Sequence, residues 1–202
     1  MYINKPLKEY LDDLAAKKAA PGGGSAAALT GATGTSLMSM VANFTIGKPE
    51  YKGVEGKVAG ILLETMKYDS ELRVLIDKDV DAYKRLSAAL KGRACDGAKL
   101  DKLYKDAAEP PFLVCEITNK CIKLCRELAG CGNRSLVTDT AIAAILFEAA
   151  FFSAKFNVYI NLKHIKDTDY IANIYRLLAG LEGEMPRLKE EILEMCEDVI
   201  SS

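Results

Sequence analysis

The sequence predicts an all-α fold, an up-down helical bundle with two long, largely buried helices, assembled as a dimer. Three observations carry this. Apolar residues recur three and four positions apart through most of the chain, and no stretch shows the two-residue alternation of a half-buried strand. A segment without any charge runs from Ala19 to Gly47, made of Ala, Gly, Ser and Thr with a few large apolar side chains. A third run, Val54 to about Leu90, contains no proline and keeps helical spacing throughout. At ~1.5 Å per residue it would be roughly 55 Å long. That is too long for a tidy 202-residue monomer, so the helix bends or packs against a second subunit.

The elements follow in order. Pro6 to Lys18 places Leu7, Tyr10, Leu11 and Leu14 on one face, and Pro6 suits a first turn. After Gly24 the alanine content favours a central helix, in which Ser25, Ala28, Ala32, Thr35, Ser39 and Ala42 form a stripe of small residues. Another backbone, or a flat ligand, can approach that stripe closely. The helix ends near Ile46 to Pro49, where Gly47 and Pro49 stop it. After the long third helix, Lys91 to Lys105 reads as a polar connection leading to Pro110 and Pro111 in the first turns of another helix, which ends at Gly130 or Gly132. Ser135 to Ile165 is the second long apolar helix. Tyr170 to Ile200 is amphipathic with Pro186 inside it, which implies a kink or two segments. The whole chain, residues 1–202, reads as one domain.

Composition excludes several functions. Charged residues make up 27% and the net charge is −1, so nothing marks a nucleic-acid or anionic-membrane binder. The opening MYINKPLKEY has no apolar signal region, and six cysteines without an export signal imply reduced thiols in a cytoplasm. The central helix has the length of a membrane span but is too dense in Ser, Thr, Asn and Gly to be one. Its glycines, Gly22, Gly23 and Gly24, are not a Walker loop, which needs Lys and then Ser or Thr after the last Gly. Two readings of them stay open. They present free N–H groups at the positive end of a helix dipole, suited to a carboxylate or phosphate, or they only let the chain turn sharply into a buried helix.

Few residues suit nucleophilic chemistry. His164, the single histidine, stands beside Lys163 near a helix end and reads as solvated. Cys121, Cys125 and Cys131 lack an evident fourth ligand and read as small buried thiols rather than a metal site. The carboxylates are more informative. Asp77 and Asp81 share a helix face that reads as solvated, while Asp79 points away, toward or beside the side of Ile76, Val80, Tyr83 and Leu86. A carboxylate there is either ion-paired or a proton carrier with a raised pKa. Asp139, Asn157 and Asn161 share the other apolar helix. Asp139 stands roughly 27 Å from Asn157, too far for one reacting atom, so the two ends serve different ends of a long ligand, different subunits' sites, or structure alone.

Together these stretches resemble one family. AAPGGGSAAAL with SMVANFTIGKPEY, LIDKDVDAY, GCGNRSLVTDTAIAA and FNVYINL with KHIKD are similar, in order and spacing, to the formimidoyltetrahydrofolate cyclodeaminases and the methenyltetrahydrofolate cyclohydrolases of cyclodeaminase type. The resemblance covers nearly the whole chain. It implies an all-helical homodimer without cofactor, with a tetrahydrofolate substrate in a crevice near the subunit contact. It places the family's characteristic carboxylates on Asp79 and Asp139, and its Asn-Val-x-x-Asn-Leu motif on Asn157, Val158, Asn161 and Leu162. Gly22, Gly23, Gly24 and Ser25 join the two asparagines as expected substrate contacts. The chain departs from the family at Thr138, where a Ser is usual, at Asp81-Ala82-Tyr83, where Glu-Ala-Phe is usual, and after Leu90, where a Leu-Pro signature is missing. The 202 residues are filled by the helical domain, which leaves no room for an attached formiminotransferase domain.

The implied chemistry acts on the one-carbon bridge of the folate. A cyclohydrolase adds water to 5,10-methenyltetrahydrofolate and yields 10-formyltetrahydrofolate. A cyclodeaminase closes the formimidoyl group onto the position-10 nitrogen and releases ammonia. Six reduced cysteines tilt the choice toward the cyclohydrolase. A third alternative is a helical dimer that binds folate without catalysis, and it would tolerate loss of Asp79.

Overall fold

The computed structural model describes residues 1–92 and 96–202. Among these the regular structure is all helical. The α-helices are α1 (Leu7–Ala15), α2 (Gly23–Asn43), α3 (Glu55–Lys91), α4 (Gly97–Ala129), α5 (Val137–Leu162), α6 (Thr168–Glu182) and α7 (Glu184–Ser201). Short 3₁₀ turns lie at Tyr2–Asn4, Pro49–Tyr51 and Arg134–Leu136. Helices α2, α3, α4 and α5 form a ring in which each packs on the next and α5 returns to α2, while α7 covers α4 and α5. Short connections make consecutive helices neighbours.

The core follows from the apolar spacing. Phe147, Phe151, Met38, Leu72, Ile122 and Leu128 are fully enclosed. The small-residue stripe of α2 lets its neighbours approach: Ser25, Ala28, Ala32, Thr35 and Ala42 are buried, and a methyl group added at Gly34 would come within 2.7 Å of the Phe147 ring. The turn after α2 needs Gly47, whose φ of +80° is rarely open to a side-chain-bearing residue. Asn133 then ties that turn to the start of α5, donating from Nδ2 to the Phe44 carbonyl at 2.9 Å and from its N–H to Thr45 Oγ1 at 2.9 Å.

Three expectations need correction. The connection after α3 is short, because α4 begins at Gly97, with the Asp96 carboxylate accepting from the Ala98 N–H; residues 93–95 of that expected connection lie outside the described residues. Pro110 and Pro111 lie inside α4 rather than at its start, and the helix continues through them. Asp77 is not solvated. It is 6% exposed and accepts the Tyr2 N–H at 2.6 Å and the Ile3 N–H at 3.3 Å, so it fastens the N-terminal segment to α3. The enclosure of the two apolar helices within one chain is partial. α5 leaves Ile142, Ile145, Phe156 and Ile160 exposed, and Phe44, just past the end of α2, is exposed as well. The segment Arg134–Leu162 is long and apolar enough to cross a membrane by length and composition, with 33% of its most apolar window buried. The other open question is settled at Gly183, where the C-terminal amphipathic run divides into α6 and α7 and Pro186 falls in the first turn of α7.

The Asp77 contact predicts a stability effect without a direct catalytic one. Asp77→Ala leaves two backbone donors without their acceptor and should cost roughly 1–3 kcal/mol in a denaturant titration. A variant as stable as the parent would show that the segment is held by its side chains alone.

Candidate active site

The three glycines and Asp79 make one structural unit. α2 starts after Gly22, whose backbone is extended, and its first turn has unpaired N–H groups as any helix start does. Asp79, from the middle of α3, fills this position: its Oδ2 accepts the Ser25 N–H at 2.9 Å. The approach requires glycine. A Cβ on Gly24 would lie 2.1 Å from Asp79 Oδ1, and one on Gly23 would lie 3.0 Å from Asn157 Nδ2. Neither reading of these glycines anticipated what the geometry displays, a close approach to side chains of α3 and α5. The Ser25 N–H, expected to meet a ligand, is already occupied by Asp79.

Two effects compete at the Asp79 carboxyl. Burial disfavours its charged form, whereas the Ser25 N–H favours it. Burial wins, and the pKa is pushed up to about 6. Behind it the buried Tyr10 hydroxyl donates to Ser25 Oγ at 3.2 Å, linking α1 to the start of α2.

Asp79 faces a cleft of about 380 Å³. That is within the usual size range of small-molecule sites. α3 contributes Asp79, Tyr83, Leu86 and Leu90, a stripe with helical spacing; α5 contributes Asn157, Ile160 and Asn161. Tyr104 and Ala107 of α4 close one side, and His164 stacks on Tyr104 with ring centroids 4.7 Å apart. The cleft therefore offers one carboxyl poised to exchange a proton near neutrality, two amides, and flat aromatic and aliphatic surfaces. That combination suits acid–base chemistry on a flat heterocycle.

The structure thus brings together Gly22, Gly23, Gly24, Asp79, Asn157 and Asn161, with Ser25 directly behind Asp79. It does not bring Asp139 to this cleft within one chain. Asp139 is in the first turn of α5, while Asn157 and Asn161 are in the last turns. Sequence reasoning missed Tyr83, Tyr104, Ile160 and the cleft position of His164. Tyr83 had a signal, since it stands one turn from Asp79 on the same helix face; the stacking of Tyr104 on His164 joins α4 to the end of α5 and had none. Cys115, Cys121 and Cys125 lie in the core instead, where burial pushes their thiols up.

Comparison with known proteins agrees with this geometry. Residues 6–178 match the family model described as formiminotransferase-cyclodeaminase. The methenyltetrahydrofolate cyclohydrolase of Methylorubrum extorquens is 32% identical, over 98% of this chain and 99% of its own length. The formimidoyltransferase-cyclodeaminase of Sus scrofa is 28% identical over 96% of this chain, which corresponds to 37% of that longer protein. The crystal structure of formiminotetrahydrofolate cyclodeaminase from Thermotoga maritima superposes with a TM-score of 0.93 at 32% identity, covering 99% of this chain and all of that one. On the extent of these matches, the chain belongs to the formiminotransferase-cyclodeaminase family.

Proposed function

We propose that this protein hydrolyses 5,10-methenyltetrahydrofolate to 10-formyltetrahydrofolate. The observation that carries the reading is Asp79: a carboxyl raised to about 6 and facing an amide-lined cleft, in a chain alignable end to end with a methenyltetrahydrofolate cyclohydrolase. The bridge carbon of the substrate is a cationic amidinium. Water attacks it while the Asp79 carboxylate takes the water's proton, giving a neutral carbinolamine. Asp79 then returns the proton to the position-5 nitrogen as its bond to the bridge carbon breaks. The carbinolamine hydroxyl becomes the formyl carbonyl and releases its proton, so one water is consumed and one proton is liberated. A carboxylate beside the cation also stabilises the charge before attack. Gly22, Gly23, Gly24, Asn157 and Asn161 supply the substrate contacts, and neither step calls for a metal or cofactor.

The cyclodeaminase reaction is the second reading, favoured by the likeness to the Thermotoga maritima enzyme. The purified protein separates the two. Loss of methenyltetrahydrofolate absorbance above the spontaneous rate, without ammonia release from formimidoyltetrahydrofolate, is the expected result. Ammonia release as the faster reaction would reverse the order. A folded protein that binds tetrahydrofolate but accelerates neither would support the non-catalytic binder.

The same reading includes a homodimer in the cytoplasm. Uncharged side chains run along the outer faces of two packed helices: Thr30, Thr33, Leu37 and Met40 on α2, and Ile142, Ile145, Phe156 and Ile160 on α5. An uncharged surface on a helix pair, apolar along its α5 side, favours a second copy. Ile160 belongs both to this face and to the cleft, so pairing would put the site beside the subunit contact. Pairing would also enclose the two long helices as the sequence implies and give Asp139, one turn from Ile142, access to a partner. Sedimentation should give twice the chain mass, and Phe156→Asp should give a folded monomer. A parent protein that sediments as a fully active monomer would end this proposal.

A further inference from the structure

Proline inside a helix leaves a carbonyl without its partner, and in α4 one such carbonyl reaches the cleft. Pro111 has no N–H, so the Ala107 carbonyl, four residues earlier, cannot receive its helical hydrogen bond. Ala107 is buried and lines the cleft wall. Its carbonyl is taken instead by Asn161 Nδ2 at 3.2 Å. The same nitrogen donates to the Asn157 carbonyl at 2.8 Å.

These two bonds use both hydrogens of the amide nitrogen. The reversed orientation would set Oδ1 against two carbonyl oxygens, so the amide cannot turn over. What remains is Oδ1, which accepts no hydrogen bond among the described residues. Asn161 therefore presents the cleft with a fixed acceptor and no donor. Asn157 is different: its Nδ2 donates once, to the Ser153 carbonyl at 2.8 Å, which leaves one N–H and Oδ1 for a ligand. Gly23 limits its movement, since even the space for a Cβ there is within 3.1 Å of both amide heavy atoms. An acceptor fixed in this way selects for a donor on the ligand, because a ring lacking one would leave Oδ1 desolvated and unpaired.

We infer that Pro111 is a positioning residue that, through the Ala107 carbonyl, fixes Asn161 as the acceptor for an amino group on the ligand ring. In the folate reading, on which this rests, that group is the exocyclic 2-amino group of the reduced pterin, the outermost donor on its edge. Asn161 thereby sets specificity for an aminated heterocycle, and Pro111 sets the orientation of Asn161.

The test compares dissociation constants of the full chain for tetrahydrofolate and for its 2-desamino-2-methyl analogue, in which a methyl group of similar size replaces the amino group. The parent protein should prefer tetrahydrofolate by roughly 10- to 100-fold. Asn161→Leu should reduce the preference to within about threefold. Pro111→Ala restores the helical bond to Ala107 and leaves the Asn157 carbonyl as the one uncontested anchor of the amide, so it should lose part of the preference while remaining at least as stable. It should also raise KM for methenyltetrahydrofolate and leave kcat within about twofold, a split that a general packing defect would not produce. The double variant should discriminate no less than Asn161→Leu alone. Equal binding of the two compounds by the parent, or full preference and unchanged KM in Pro111→Ala, would overturn the inference while leaving the folate reading intact. A parent protein that binds neither compound would remove the folate reading itself, and this inference with it.

Discussion

Asp79→Asn should lower kcat/KM for methenyltetrahydrofolate by roughly 10²–10⁴, the usual contribution of a positioned acid or base. Asparagine keeps the shape and can still accept the Ser25 N–H, but it cannot take a proton. The pH profile supplies the signature. With Asp79 titrating at about 6 in the free enzyme, kcat/KM should be low at pH 5, rise through pH 6 and level off above pH 7; the variant should lose that inflection. Spontaneous hydrolysis must be subtracted at each pH.

Stability should move in the opposite direction. The folded-state pKa of Asp79 is raised above its ordinary value of 3.8, so the folded protein binds this proton more tightly than the unfolded chain does. The stability that results is fully present below pH 3.8 and is lost as pH rises through about 6. The shift corresponds to on the order of 2–3 kcal/mol, partly offset on mutation by weakening of the Ser25 bond. Asp79→Asn should therefore be as stable as the parent at pH 7 or more so, with the gap closing in acid. If Asp79→Asn retains most activity while a folded Asp139→Asn variant is inactive, the proton transfer belongs to the other end of α5 and the assignment is wrong.

Gly24→Ala is expected to be the most damaging single-methyl change. The new Cβ would be 2.1 Å from Asp79 Oδ1 and 2.6 Å from its Cγ, closer than any real contact. α2 cannot retreat, because the buried Ala27, Ala28 and Gly31 fix its position against the neighbouring helices. The carboxyl must leave the Ser25 N–H instead. The overpacking cost should be about 1–3 kcal/mol. Displacement by about 1 Å should lower kcat by roughly 10²-fold. A second readout separates displacement from unfolding: a carboxyl driven toward water titrates lower, so any residual activity should show its inflection below pH 6. An active Gly24→Ala enzyme with an unchanged profile would mean that the close approach of α2 to Asp79 is incidental.

The sequence alone carried the helical class, the approximate extents of α1, α2, α3 and α5, and the uncharged, small-residue character of α2 with its glycine start. These are local properties: a 3.6-residue period and a run of small residues are written in neighbouring positions. It also singled out Asp79, because a step of two residues, roughly 200° around the helix, turns it from the face of Asp77 and Asp81 toward the apolar side. The tertiary structure decided the remainder. Asp77, read as solvated, is buried because the N-terminal segment folds over it from 75 positions away, which no helical pattern records. Pro110 and Pro111, read as a helix start, lie inside α4, where Asn161 of another helix satisfies the carbonyl that Pro111 leaves free. Whether the free N–H of Ser25 meets a ligand or a protein group depended on where α3 crosses the start of α2. Local spacing fixes which face a residue occupies on its own helix; only the packing of helices determines what that face meets, and the Asp79 pKa, the cleft and the Asn161 acceptor all arise from that second step.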